Sequence, residues 1–163
     1  MAEMFHATRE EDLLSPAELA QMSGLEFIQG IAEGRLPAPP IAKTLNFKLE
    51  TVREGEVSFV GSPTFEAMNP IGSIHGGWFG TILDSCMACA YQTTVPKGTG
   101  YTTLEYKVNI VRAIRPGPQW YRATGIVDHT GRRTGVATGQ LIGVEDGKLY
   151  ATGSTTCMAL PLS

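Results

Sequence analysis

The sequence predicts an α+β domain in which one antiparallel sheet of about six strands wraps a single long helix. Three observations carry this. The chain reads as strand, strand, long helix and then four further strands. The strands after the helix are joined by short turns, which force antiparallel pairing. One helical stretch is long enough to cover the inner face of such a sheet.

Taken in order, residues 1–12 carry Glu3, His6, Arg9, Glu10, Glu11 and Asp12 and read as a mobile arm without the apolar segment of a signal peptide. Ser15-Pro16-Ala17-Glu18 is a capping box with proline at the first helical position, and this short helix is expected to stop at Gly24. A second helix from Leu25 places Leu25, Ile28, Ile31 and Ala32 on one side and ends at Gly34. Arg35 to Pro40 is a stiff proline-rich connector, and Ile41 to Leu45 adds a helical turn. Residues 1–44 are therefore read as an N-terminal arm with short helices, packed over the domain or over a binding cleft. Residues 45–163 are read as the main domain.

Phe47 to Arg53 and Glu56 to Gly61 form a hairpin about Glu54-Gly55. The long helix runs to about Thr93 and is broken by Val95-Pro96-Lys97-Gly98. Tyr101 to Arg112 is the clearest strand. Thr102, Leu104, Tyr106, Val108 and Ile110 alternate with Thr103, Glu105, Lys107 and Asn109, which puts Thr103 in the polar set. Gln119 to Val127, Thr134 to Val144 and Leu149 to Ala159 complete the sheet through loops at Asp128–Arg133 and Glu145–Lys148.

The stretch that organises the rest is Asn69 to Asp84, which reads Asn-Pro-Ile-Gly-Ser-Ile-His-Gly-Gly-Trp-Phe-Gly-Thr-Ile-Leu-Asp. Asn69-Pro70 favours a turn and Ser73 is the expected N-cap of the long helix. Phe79, Ile82, Leu83, Cys86 and Ala90 form its apolar stripe, while Gly77, Gly80 and Asp84 fall on a different, bare side. A glycine in a helix costs about 1 kcal/mol against alanine, so the pair after His75 implies a close approach to the backbone. The helix start offers unpaired N–H donors suited to an anion or an oxyanion. His75 and Asp84 lie roughly 13 Å apart along such a helix and project in nearly opposite directions. Either one of them is structural or a second copy of the chain completes the site, and two-fold association favours the second reading.

Composition excludes several classes. A net charge of −3 gives no general affinity for nucleic acid or anionic membrane. No apolar run approaches the length of a bilayer span, and a cytoplasmic protein is expected. Cys86, Cys89 and Cys157 suggest no disulfide framework. Cys86-Met-Ala-Cys89 sits mid-helix without a histidine to complete four ligands, so buried structural thiols are expected rather than zinc or redox chemistry. No dinucleotide or nucleotide-triphosphate fingerprint is present, and neither a metal nor a cofactor is expected.

Asn-Pro-x-Gly-x-x-His-Gly-Gly with Asp nine residues after the histidine resembles the hotdog-fold thioesterases, and most of all their PaaI-like, phenylacetate-pathway branch. Thr103-Leu104-Glu105-Tyr106-Lys107-Val108-Asn109, Gly131-Arg132-Arg133-Thr134 and Gly147-Lys148-Leu149-Tyr150-Ala151-Thr152-Gly153 resemble that family's later strands and hairpins. The likeness covers about Leu45 to Met158, and Trp78 is bulkier than its usual counterpart. It implies a hotdog fold and hydrolysis of an acyl-CoA, aromatic or short to medium in chain, at the interface of a homo-oligomer, dimer or tetramer. The implied site takes Asn69, His75 and Gly76 from one subunit and Asp84 and Thr103 from the other. Within it, Asp84 is general base or nucleophile, the Gly76 N–H is oxyanion donor, and His75 orients the turn and the thioester. Asn69 either satisfies the turn or bonds the attacking water or the thioester carbonyl, and Thr103 orients Asp84 or the water. The loop of Gly131, Arg132, Arg133 and Thr134 is the candidate contact for CoA phosphate. The competing readings are a non-catalytic acyl-CoA sensor and a hotdog hydratase or dehydratase.

Overall fold

The computed structural model describes residues 5–162 and follows the expected order of elements. Short helices α1 (Pro16–Leu19), α2 (Gly24–Ala32) and α3 (Pro40–Thr44) precede the hairpin β1 (Phe47–Arg53) and β2 (Glu56–Gly61). The central helix α4 (Gly76–Gln92) is followed by β3 (Thr99–Ile110), β4 (Tyr121–Thr130), β5 (Thr134–Gly143) and β6 (Leu149–Pro161). All six strands form one antiparallel sheet in the order β1-β2-β4-β5-β6-β3, with α4 packed on its inner face. This is the hotdog arrangement.

The helix lies very close to the sheet because glycines floor the contact. A Cβ on Gly139 would stand 2.8 Å from Met87 Cγ, and one on Gly153 would stand 3.0 Å from Met87 Cε. A Cβ on Gly125 would run into the Cys86 carbonyl and stand 2.6 Å from the Met87 nitrogen. Phe79, Ile82, Leu83, Cys86, Met87 and Ala90 are consequently buried against the sheet. Trp78 is buried too, its indole N–H donating to the Leu45 carbonyl at 2.8 Å.

Several local expectations are corrected. Ser73 does not cap α4; His75 does, with Nδ1 accepting from the Gly77 N–H at 2.8 Å. Ser73 is instead folded into the preceding turn by Asn69. Gly24 opens a helix rather than ending one, because Ser23 and Glu26 form a capping box with reciprocal bonds of 3.2 and 2.7 Å. Residues 128–130 belong to β4 rather than to a loop, the extra length being absorbed by a bulge between Val127 and His129. Of the expected mobile arm, residues 1–4 lie outside the described residues. The remainder is tied down: His6 bridges Ala38, and the Asp12 carboxylate accepts from the Thr8 N–H at 2.9 Å and its hydroxyl at 2.8 Å.

The largest correction concerns β3. Its alternation is broken at Leu104, where the register against β6 shifts between Thr103 and Glu105. A bulge inserts one residue and switches which side the following residues face. Thr103 and Tyr106, an odd number of positions apart, thereby both reach α4. The Gly80 flank is therefore not open: a Cβ there would stand 3.1 Å from the Tyr106 hydroxyl.

The helix–sheet distance gives a direct test. Gly125→Ala should destabilise the protein by about 1–3 kcal/mol or more, since the obstructing atoms are backbone. Thermal unfolding should show a drop of several degrees, whereas Gly117→Ala, whose Cβ would meet only Gln119 Oε1 at 3.7 Å, should leave Tm nearly unchanged.

Candidate active site

The turn before α4 is built by one side chain. Asn69 Oδ1 accepts from the Ile71 and Ser73 N–H groups at 3.1 and 3.2 Å, and its Nδ2 donates to Ser73 Oγ at 2.8 Å. Gly72 takes a φ of 87°, a left-handed conformation that favours glycine. The turn is anchored by the Ile74 N–H on the Ile114 carbonyl at 2.9 Å and the His75 N–H on the Ala67 carbonyl at 2.8 Å. The chain then enters α4 with His75, Gly76 and Gly77 exposed. Because His75 Nδ1 accepts a hydrogen bond, the neutral ring carries its proton on Nε2. Gly76 occupies the first helical position, so its N–H has no helical partner and remains a free donor.

Asp84 sits more than two turns further along the same helix. It is half-buried, and Thr103 Oγ1 donates to its Oδ1 at 3.1 Å across the helix–β3 seam. Burial raises its pKa from 3.8, and the Thr103 hydrogen bond partly opposes that rise. Among the described residues no cation pairs with this carboxylate. It borders a cavity of about 360 Å³ whose walls are mostly apolar.

The five expected residues thus fall into two groups within one chain. Asn69, His75 and Gly76 cluster at the helix start, and Asp84 and Thr103 meet at its middle; the cavity beside Asp84 is not lined by the first group. The Gly131–Thr134 segment is the tight connection between β4 and β5, closed by the Gly131 N–H on the Thr134 carbonyl at 2.7 Å. Arg132 and Arg133 are exposed there, and neither forms an ion pair with the described residues. Cys86 is fully buried and burial pushes its thiol well up; Cys89 is pushed up to about 12 by the same cause. Neither is a nucleophile at neutral pH. No cluster of metal-ligating side chains occurs among the described residues.

Sequence reasoning put the N-terminal helices over the domain or a binding cleft but did not single out His6, Phe27, Ile28 or Tyr101 as cavity wall. The Ser23–Glu26 capping box was a readable signal for the helix that carries two of them.

Residues 71–150 match the model of the thioesterase superfamily. No curated protein matches the sequence. Among solved structures, a phenylacetic acid degradation-related protein of Ralstonia eutropha is 28% identical, with 81% of this chain and 98% of that one covered at a TM-score of 0.72. The PaaI protein of the Escherichia coli phenylacetic acid degradation operon is 20% identical, with 91% and 99% covered at a TM-score of 0.70. A Streptococcus mutans protein bound to acetyl CoA is 21% identical, with 72% and 90% covered at 0.64. These last two likenesses speak for the fold. Within the described residues no helix is long and apolar enough to cross a membrane. With the sheet wrapped about α4 and the family match spanning that helix and β3 to β5, the chain is a hotdog-fold protein similar to the thioesterase superfamily over residues 71–150, and that likeness supports a thioester hydrolase.

Proposed function

We propose that the protein hydrolyses acyl-CoA thioesters with Asp84 as general base or nucleophile. The observation that carries this reading is the half-buried Asp84 carboxylate at the edge of an apolar cavity, held by Thr103 and without a cationic partner among the described residues. A carboxylate kept from ion pairing and partly from water is a stronger base than an exposed one. In the base route, Asp84 takes a proton from water as the oxygen attacks the thioester carbonyl. The carbonyl electrons move onto oxygen, and the Gly76 N–H of a second copy stabilises that oxyanion. Collapse expels the CoA thiolate, which the proton on Asp84 neutralises. In the nucleophile route the carboxylate attacks the carbonyl itself and the C–S bond breaks to expel CoA thiolate, leaving a mixed anhydride; water then cleaves that anhydride to the free acid and the Asp84 carboxylate, and the proton released neutralises the thiolate.

Geometry supports a second copy. Asp84 and the Gly76 N–H lie more than two helical turns apart on one helix, too far to serve one carbonyl. The edge strand β3 also exposes Leu104, Tyr106 and Ile110, at 52%, 47% and 47%, with Ile110 beside Gly76 and Tyr106 over Gly80, a surface on which a homodimer partner would sit. In this reading His75 and Asn69 are positioning residues: His75 caps the helix and directs Nε2–H outward, and Asn69 holds the turn. Thr103 orients the Asp84 carboxylate. The Streptococcus mutans relative bound to acetyl CoA supports CoA as the carrier. Arg132 and Arg133, exposed on the β4–β5 turn, suit its phosphates.

Asp84→Asn keeps the side-chain shape but removes the base, so kcat for thiol release should fall by at least about 10²–10⁴-fold with a far smaller change in KM. Near-parental turnover by a correctly assembled variant would reject Asp84 as the reacting group, and water addition without thiol release would indicate a hydratase instead.

The same variant tests the electrostatics. A carboxyl whose folded pKa is raised contributes stability below its unfolded value of 3.8, and that contribution is lost as pH rises through the folded value. Asp84→Asn should therefore unfold at a higher temperature than the parent at pH 7, with the difference shrinking as pH falls through the raised folded pKa and gone below 3.8. A difference in Tm independent of pH would show that the carboxylate is not strained by burial.

A further inference from the structure

The bulge in β3 is held from the neighbouring strand. Thr103 pairs with Cys157 of β6, Glu105 with Thr156 and Tyr106 with Thr155, which leaves Leu104 as the unmatched residue. A bulge interrupts the ladder, so its backbone groups need partners from elsewhere. One comes from a side chain: Thr155 Oγ1 donates to the Glu105 carbonyl at 2.7 Å.

Thr155 is 1% exposed and sits between Tyr106 of β3 and Ala137 of β5. Valine would suit a buried strand position of this kind without a polar atom to bury. What the hydroxyl adds over valine is the bond to the bulge. Two residues further along the same face of β6, Cys157 stands opposite Thr103, whose Oγ1 reaches Asp84 Oδ1 at 3.1 Å. Relaxation of the bulge toward regular pairing would slip β3 by one residue and turn Thr103 away from α4.

We propose that Thr155 is a positioning residue for the hydrolysis: by holding the Glu105 carbonyl it locks the β3 bulge, and the locked bulge keeps the Thr103 hydroxyl on Asp84. This rests on Asp84 being the reacting carboxylate. Thr155 does not line the cavity beside Asp84, so its influence on the reaction passes through β3.

The surroundings of Asp84 make that influence measurable. Cys86 and Cys89 on α4, Tyr101 on β3 and Cys157 on β6 are all kept neutral by burial. Lys48 and His6 line the same cavity, yet no cation pairs with the carboxylate among the described residues. Burial raises the Asp84 pKa and the Thr103 hydroxyl opposes the rise, so loss of that hydroxyl moves the titration upward.

Thr155→Val removes the Thr155 hydroxyl with little change of shape. In the free protein the Asp84 titration, followed by the NMR resonance of its carboxyl carbon, should move to higher pH. In turnover, kcat for thiol release should fall by about 10- to 100-fold, with a far smaller change in KM. Thr155→Ser, which keeps the donor, should return both readouts toward the parent. Thr103→Val alone should raise the Asp84 titration at least as far, and adding Thr155→Val to it should move it no further. Thr155→Ala reads the same loss if the valine variant does not fold. An unshifted Asp84 titration in the folded variant, or a further shift on top of Thr103→Val, overturns the proposal. A shifted titration with unimpaired thiol release would count against Asp84 as the reacting group and leave the link from Thr155 to the carboxylate in place.

Discussion

The contact between α4 and the floor of the sheet sets everything else. Gly125 lets the helix backbone at Cys86 and Met87 lie directly on the sheet, and Gly139 and Gly153 make room for the Met87 side chain. That approach buries the apolar stripe from Phe79 to Ala90 and leaves Asp84 on the flank of the helix rather than under it. A larger helix–sheet spacing would let water reach the carboxylate from both sides and would carry Thr103 out of hydrogen-bonding range. The fold thus fixes the depth of Asp84, and depth fixes its chemistry.

The bulge at Leu104 completes that arrangement. Without it, Thr103 and Tyr106 would face opposite sides of β3. With it, Tyr106 fills the gap over Gly80 while Thr103 turns to the Asp84 carboxylate. Thr103 therefore restrains a group that burial makes uncomfortable. Burial of this carboxylate costs stability, and no cation among the described residues offsets that cost.

Much of this was legible in the residues. The β1–β2 hairpin was placed residue for residue, because Glu54-Gly55 separates two well-patterned strands. The central helix was marked by its apolar stripe and by the Asn-Pro turn before it. Its cap was misassigned to Ser73, since serine is the commoner cap and nothing local reveals that Asn69 has already engaged it. The bulge was hidden for a different reason: β3 alternates almost perfectly, and the break depends on pairing with β6, some fifty residues away in sequence. The cavity wall was equally remote, because α2 and α3 meet α4 only through tertiary packing. The pairing of Asp84 with Thr103 followed from the family resemblance, together with the place of Thr103 in the polar set of its strand.

The central claim is that one site draws on two chains, because a single helix holds its donor and its base too far apart. Gly76→Pro removes the N–H at a position where proline is compatible with a helix start, and Asp84→Ala removes the carboxylate. Each variant alone should be nearly inactive. Mixed in equal amounts and allowed to exchange subunits, they should regain about a quarter of the parental activity, since half of randomly paired dimers carry one intact site of two. Persistent inactivity of the mixture, with heterodimers demonstrated by mass spectrometry, would contradict a shared site.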